Sequence, residues 1–312
     1  MNSNIWVLTL ADSVAIATTL VLAALGVILN EKAGVLNLGV EGILLMAAVS
    51  AFLMSDNIAS PWLALLVAVA VGATLGLVHA ILCVSMRANQ IVAGLAMVIF
   101  GTGLSQFLGK TVEGVPRPVR LETLDLGPLS DLPALGPILF SQGSLTYLSW
   151  ILAAAVALFL VRTRPGLSLR ATGESPATVD AQGLSVLAIR YAATVASGAF
   201  IGLAGGYYML ARATAWNQAA TTAGIGWIAL ALVVFAGWRP GRMVFGALLF
   251  GFALQVPYTL QAEQITWIPP ALMQTFPYLL TVVVLIVMST PKARARFGAP
   301  ASLGLPFVRD ER

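Results

Sequence analysis

The sequence predicts an all-α, polytopic membrane protein with about eight to ten spanning helices, one near the N-terminus re-entrant or broken. Three observations predict it. Of 312 residues, 59% are hydrophobic and only 10% charged, with a mean hydropathy of +0.91. A soluble chain of this length needs far more surface charge. Nine apolar runs approach the ~20 residues needed to cross a bilayer. The basic residues also sort by side, as topology requires.

The runs, in order, are 13–29, 38–54, 62–86, 91–108, 145–161, 191–211, 223–237, 244–260 and 275–289. The first is expected to be a retained helix, because no cleavage site follows it. The second starts in NEKAGVLNLGVEGILLMAA, where Asn37 and Glu41 lie at membrane depth beside Gly34, Gly39 and Gly42. Non-helical backbone is expected there, and it is tolerated only where protein or a water-filled cavity satisfies it. The third run holds no formal charge, only His79. No charge separates Arg212 from Arg239, Arg242 from Glu263, or Glu263 from Lys292, so the last three spans follow from charge alone.

The segment 162–190 carries Arg162, Arg164, Arg170 and Arg190. The turn WRPGR carries Arg239 and Arg242. The tail 291–312 adds Lys292, Arg294, Arg296, Arg309 and Arg312. Even numbers of crossings place all three in the cytoplasm, and Gly109–Ser144 outside. That outer stretch is too short and Pro-rich for a core of its own, so residues 1–312 form one transmembrane domain. Five simple spans before Arg162 put the N-terminus outside; one further span puts it inside. A net charge of +4 reflects arginine-rich loops rather than nucleic-acid binding, and the lone Cys83 excludes a disulfide framework.

Small residues at four-residue spacing, Gly72 with Gly76 and Gly198 with Gly202 and Gly206, predict close helix packing. In the loop RPGLSLRATGESPATVDAQGLSV, Ser175 suits an N-cap, Pro176 the first helical position and Gly183 the position past the end. This predicts a two-turn cytoplasmic helix over 176–182. Without further context it is either a linker or a surface for another protein.

GLSQFLGKT (103–111) resembles a phosphate-binding loop but encloses five residues between its glycines instead of four, and it ends a span rather than following a strand. One histidine, one cysteine and no paired metal ligands leave no catalytic constellation, so neither an enzyme activity nor a metal or cofactor is expected.

Ionisable groups at membrane depth mark functional sites. Glu41 either borders a transport pathway or bonds backbone N–H groups freed by the glycines. Asn37 shares its face if the backbone is helical. Asn89 and Gln90 line the pathway or are solvated at the interface. Gln106, Gln218, Thr221, Thr222, Trp227 and Gln255 are further lining candidates, since a polar solute needs amides and aromatic faces. His79 reads as a buried neutral histidine. Trp216, Trp238 and Trp267 read as interfacial anchors.

GVLNLGVEGILLMAA, LRATGESPATVDAQGLSV, GIGWIALALVVFAGWRPG and GALLFGFALQ, in that order, resemble the membrane permease of a bacterial ABC importer, in the branch that moves ribose, galactose, xylose and nucleosides. The GIGW and LFG-x-x-LQ runs are most similar to the nucleoside members. The resemblance implies a multi-pass inner-membrane permease with cytoplasmic ATPase subunits, a second permease chain and an extracytoplasmic substrate-binding protein as partners. It also implies that Gly173, Glu174, Pro176, Ala181 and Gly183 form the segment that couples to the ATPase. Ser175 and Val179 stand where the family often has Asn and Ala, and Ser still caps. The alternative is a proton-coupled carrier using Glu41 or His79, which would need an acidic relay that the chain lacks.

Overall fold

In the computed structural model, the first helix, α1 (Ile5–Lys32), has 28 residues, about 42 Å at 1.5 Å per residue. The structure describes residues 5–58, 60–116, 119–217, 222, 224–264, 269, 272–273, 275–288, 290 and 298–308. From Ser13 to Glu31 nearly every α1 side chain is buried. A helix apolar on all sides has no face to offer solvent and becomes the centre of its bundle. Helices α2 (Val40–Asn57), α3 (Pro61–Ala80), α4 (Gln90–Gly109) and α5 (Ser144–Arg162) follow. They are succeeded by α6 (Arg164–Glu174), α7 (Pro176–Ala181), α8 (Val186–Tyr207), α9 (Ile225–Ala236), α10 (Pro240–Ala262) and α11 (Phe276–Met288). A π-turn carries α3 on to Ser85 and another carries α8 on to Arg212; a 3-10 turn extends α4 to Val112.

Among the described residues, seven helices are long and apolar enough to cross a membrane: α1 to α5, α8 and α10, counting these extensions. The expected spans at 223–237 and 275–289 come out shorter. Helix α9 has 12 residues and the described part of α11 has 13, about 18–20 Å against about 30 Å of hydrocarbon. Freedom from charge secured their apolarity but not their length. Left-handed backbone stops α9 at both ends, at Gly224 (φ 81) and Gly237 (φ 60), where only glycine is unstrained.

The glycine stripes face one another. A Cβ on Gly72 would meet the Gly198 carbonyl, one on Gly198 the Gly72 carbonyl, and one on Gly76 the Thr194 oxygen at 2.6 Å. Helices α3 and α8 therefore touch backbone to backbone, the device that holds helices together where lipid offers no hydrophobic drive. Gly42 and Gly101 do the same for α2 and α4.

Two ends are distinct. At one, Arg212 Nη1 pairs with Asp12 Oδ1 at 3.0 Å, Gln142 Nε2 donates to the Ala11 carbonyl, and Gly114 N–H donates to that of Trp216. At the other lie Lys32, the α6–α7 segment and the turn Trp238–Arg242. The second end gathers most of the described arginines, the pattern of a cytoplasmic face. With α1 to α5 crossing in turn, the start of α1 lies at the opposite end from these arginines. The loop helix is realised as α7, with Gly183 at φ 79 past its end, and a second helix, α6, precedes it. Thr163 caps α6 through the Gly166 N–H at 3.1 Å.

GLSQFLGKT continues α4 into its terminal 3-10 turn and forms no loop. Trp216 and Trp238 are not interfacial anchors: both are buried. Trp216 packs into the space left by Gly109, and Trp238 points inward. Trp267, Gln218, Thr221 and the tail cations Lys292, Arg294, Arg296, Arg309 and Arg312 lie outside the described residues.

Candidate functional site

Between α1 and α2 the chain is non-helical at 35–37. Such backbone needs partners in a membrane, and side chains from two other helices supply them. Leu36 N–H donates to Gln90 Oε1 at 2.6 Å, and His79 Nε2 lies 3.0 Å from the Leu36 carbonyl. A carbonyl only accepts, so that nitrogen carries the proton. Asn37 Oδ1 accepts from Gly39 N–H at 2.8 Å. Asn89 caps α4, accepting from Ile91 N–H at 3.0 Å and Val92 N–H at 3.1 Å. Asn37, Asn89, Gln90 and His79 thus spend hydrogen bonds on backbone.

The break delivers Glu41, 7% exposed, to the first turn of α2, where it meets the start of α9. Oε2 accepts from Gly226 N–H at 2.7 Å and Oε1 from the Thr222 hydroxyl. A Cβ on residue 226 would sit 2.7 Å from the Glu41 backbone, so the approach requires glycine. Two helix N-termini converge on one carboxylate. Each carries about half a positive charge on its unpaired N–H groups. The carboxylate is held by the Gly226 N–H and the Thr222 hydroxyl. That N–H comes from a helix 185 residues on, not from the neighbouring glycines.

Glu31, the second buried carboxylate, accepts from Trp238 Nε1 just beyond the other end of α9. The stretch 31–41 therefore grips α9 at both ends. The same stretch touches the α6–α7 loop. A Cβ on Gly173 would meet the Lys32 carbonyl. Ser302 binds there too: its N–H and Oγ donate to the Gly173 carbonyl at 2.9 and 2.7 Å. Gly304 N–H donates to that of Gly34, and Arg190 Nη1 to that of Leu305. Gly173 is buried in this joint, while Glu174, Ala181 and Gly183 are exposed and Pro176 half-buried.

Toward the outer end a cavity of about 460 Å³ is lined by Asp12, Tyr208, Arg212, Asn217, Gln255 and Tyr258, among others. It lies beside the π-turn that ends α8, a wide turn frequent at functional sites. Its volume falls within the roughly 300–1,000 Å³ of small-molecule sites. Tyr258 is exposed and Tyr208 half-buried, offering ring faces as well as hydroxyls. Of the lining candidates, Gln255 is here. Thr222 is at the Glu41 knot. Trp227 is exposed one residue beyond Gly226, and Gln106 is half-buried on α4; neither lines this cavity. Sequence reasoning missed Tyr208, Tyr258 and the Asp12–Arg212 pair. The one visible signal was an acid and a base, each near the end of an apolar run.

The family model described as branched-chain amino acid transport system / permease component matches residues 9–285. A putative glucose ABC transporter permease protein of Haloferax volcanii is 36% identical over 96% of this chain and 96% of its own length. A guanosine ABC transporter permease protein of Bacillus subtilis is 34% identical, with 95% of each covered. A nucleoside ABC transporter permease protein of Lactococcus lactis is 32% identical, with 96% of each covered. No solved structure matches.

Proposed function

The chain belongs to the family of branched-chain amino acid transport system / permease components, and from that premise we propose that its solute is a nucleoside. It is the multi-pass inner-membrane subunit of an ABC importer, working with an ATPase and a substrate-binding partner, and it is not an enzyme. Proton coupling is set aside. Glu41 and His79 are each committed to hydrogen bonds, and the named relatives are ABC permeases.

The observation that carries the solute class is the outer cavity. Two tyrosines offer faces to a base, while Gln255, Asn217 and the Asp12–Arg212 pair offer donors and acceptors to a ribose and to base edges. The names of two relatives support the same class. Binding here is weak, since release has to follow entry.

The second permease chain and an extracytoplasmic binding protein complete the assembly in this reading. The ATPase engages the exposed side of α6–α7, at Glu174, Pro176, Ala181 and Gly183. Gly173 transmits its motion to the Lys32–Gly34 corner, and the stretch 31–41 passes it to both ends of α9. The test is uptake of radiolabelled nucleosides and of glucose or pentoses into membrane vesicles holding the chain with its ATPase and binding protein. ATP-dependent nucleoside uptake is expected, reduced at least tenfold in Tyr258→Ala. Uptake of the sugar alone would overturn the solute class.

A further inference from the structure

At the cytoplasmic end a cavity of about 640 Å³ opens between the last turns of α5, α6 and the α9–α10 corner. Lys32, Arg170 and Arg239 are among its lining residues, and no carboxylate is among the described ones. Arg170 Nε is buried without a hydrogen-bond partner. Glu31 and Glu174 lie within electrostatic reach of Lys32 and offset part of this charge, but neither lines the cavity. Glu31 accepts from Trp238, and Glu174 Oε2 accepts from Ala301 N–H at 3.3 Å. Like charges brought together at the edge of an apolar medium repel strongly unless an anion joins them.

The remaining wall is apolar: Ala157, Leu160 and Val161 of α5. It continues into an exposed apolar stripe on that helix, Leu148, Ile151 (64% exposed), Leu158 and Val161 (66% exposed). The stripe runs along the span toward the outer end. Cations at one end of a lipid-length apolar stripe complement a molecule with an anionic head and hydrocarbon tails.

We propose that this cavity binds the phosphate headgroup of an anionic phospholipid from the inner leaflet, with its acyl chains along the exposed face of α5. Guanidinium groups match phosphate oxygens in paired hydrogen bonds, and basic pockets between spans on the cytoplasmic side suit such headgroups. A free phosphate shares the charge but gains nothing from the apolar wall.

The test uses the full-length chain assembled with its ATPase. Lipid retention is read by native mass spectrometry from mixed micelles holding phosphatidylglycerol and phosphatidylcholine, with and without inorganic phosphate. Wild type is expected to retain phosphatidylglycerol selectively. The double variant Arg170→Gln, Arg239→Gln should retain it about thirtyfold less, and the matching Lys pair far more than the Gln pair. In case the Gln pair fails to fold, a headgroup-photoreactive phosphatidylglycerol on wild-type protein is expected to label the peptides around Arg170 or Arg239. Equal retention of the two lipids would overturn the proposal. So would displacement by millimolar phosphate, which would make this a free-anion site. Loss of the lipid whenever the ATPase is bound would do the same, assigning the cations to the subunit interface. None of these readouts depends on which solute is carried.

Discussion

Replacing Glu41 separates a structural brace from a dispensable group. Glu41→Leu keeps the size but removes both acceptors, so Gly226 N–H and the Thr222 hydroxyl are left buried and unpaired. Each orphaned group costs about 1–3 kcal/mol. Losing the charge between two helix N-termini adds about 0.3–2 kcal/mol. The expected loss is about 2–8 kcal/mol, a large share of the roughly 5–15 kcal/mol that holds a domain folded. Glu41→Gln keeps one acceptor but turns an amide NH₂ toward one of the two donors, for a loss of about 1–3 kcal/mol. The assay is thermal unfolding of the purified protein in one detergent, with ATP-dependent uptake measured in parallel. Both should fall in the order wild type, Gln, Leu. A Leu variant that unfolds at the wild-type temperature would refute the reasoning, because no other described group relieves those two donors.

Gly183→Val forces a β-branched residue into left-handed backbone, with nothing within 4 Å for it to strike; the cost is about 1–2 kcal/mol, confined to α7. ATP hydrolysis is expected to continue while uptake falls at normal expression, and normal uptake would remove the coupling role. Trp238→Phe leaves Glu31 Oε2 without its donor and should cost about 1–3 kcal/mol more in unfolding measurements than Trp216→Phe, since Trp216 Nε1 has no partner to lose. Ser302→Ala removes a hydroxyl that donates to the Gly173 and Thr172 carbonyls. Residues 300–305 should then be cut sooner by a protease in limited digestion, and unchanged cutting would show that the backbone bonds alone hold them.

What could be read from the sequence is what local pattern carries. The apolar run of α1 announced a span, the four-residue glycine spacing announced close helix packing, and Pro176 and Gly183 bracketed α7, although Ser175 bonds the Thr178 hydroxyl instead of capping it. The non-helical stretch at 35–37 was expected from its glycines and polar groups. What could not be read depends on partners distant along the chain. Gly226 and Thr222 approach Glu41 only once α9 is folded against α2. Trp238 resembles an anchor until Glu31 is seen to accept from it. The length of α9 is set by two left-handed glycines that an apolar count treats as ordinary span residues. Helix α6 went unseen because its composition reads as a polar loop. The docking of 300–305 depends on backbone carbonyls, which no side-chain pattern reveals.

Two buried carboxylates ten residues apart would be costly if each served only itself. Their bonds make sense together. Glu41 fixes the first turn of α9 and Glu31 fixes the residue beyond its last, so a helix too short to span the membrane is held as a rigid strut. A strut held at both ends moves with its holder, and the holder is the corner that Gly173 abuts. The two grips should therefore couple energetically although their bonds lie a helix length apart. In a double-mutant cycle, Glu41→Gln and Trp238→Phe should together destabilise by less than the sum of the singles. Once one end of α9 is loose, the grip at the other restrains less. Sites this far apart ordinarily add to within about 0.3–0.5 kcal/mol. An interaction energy beyond that range would mark α9 as one mechanical unit, and strict additivity would mean that its ends are anchored independently.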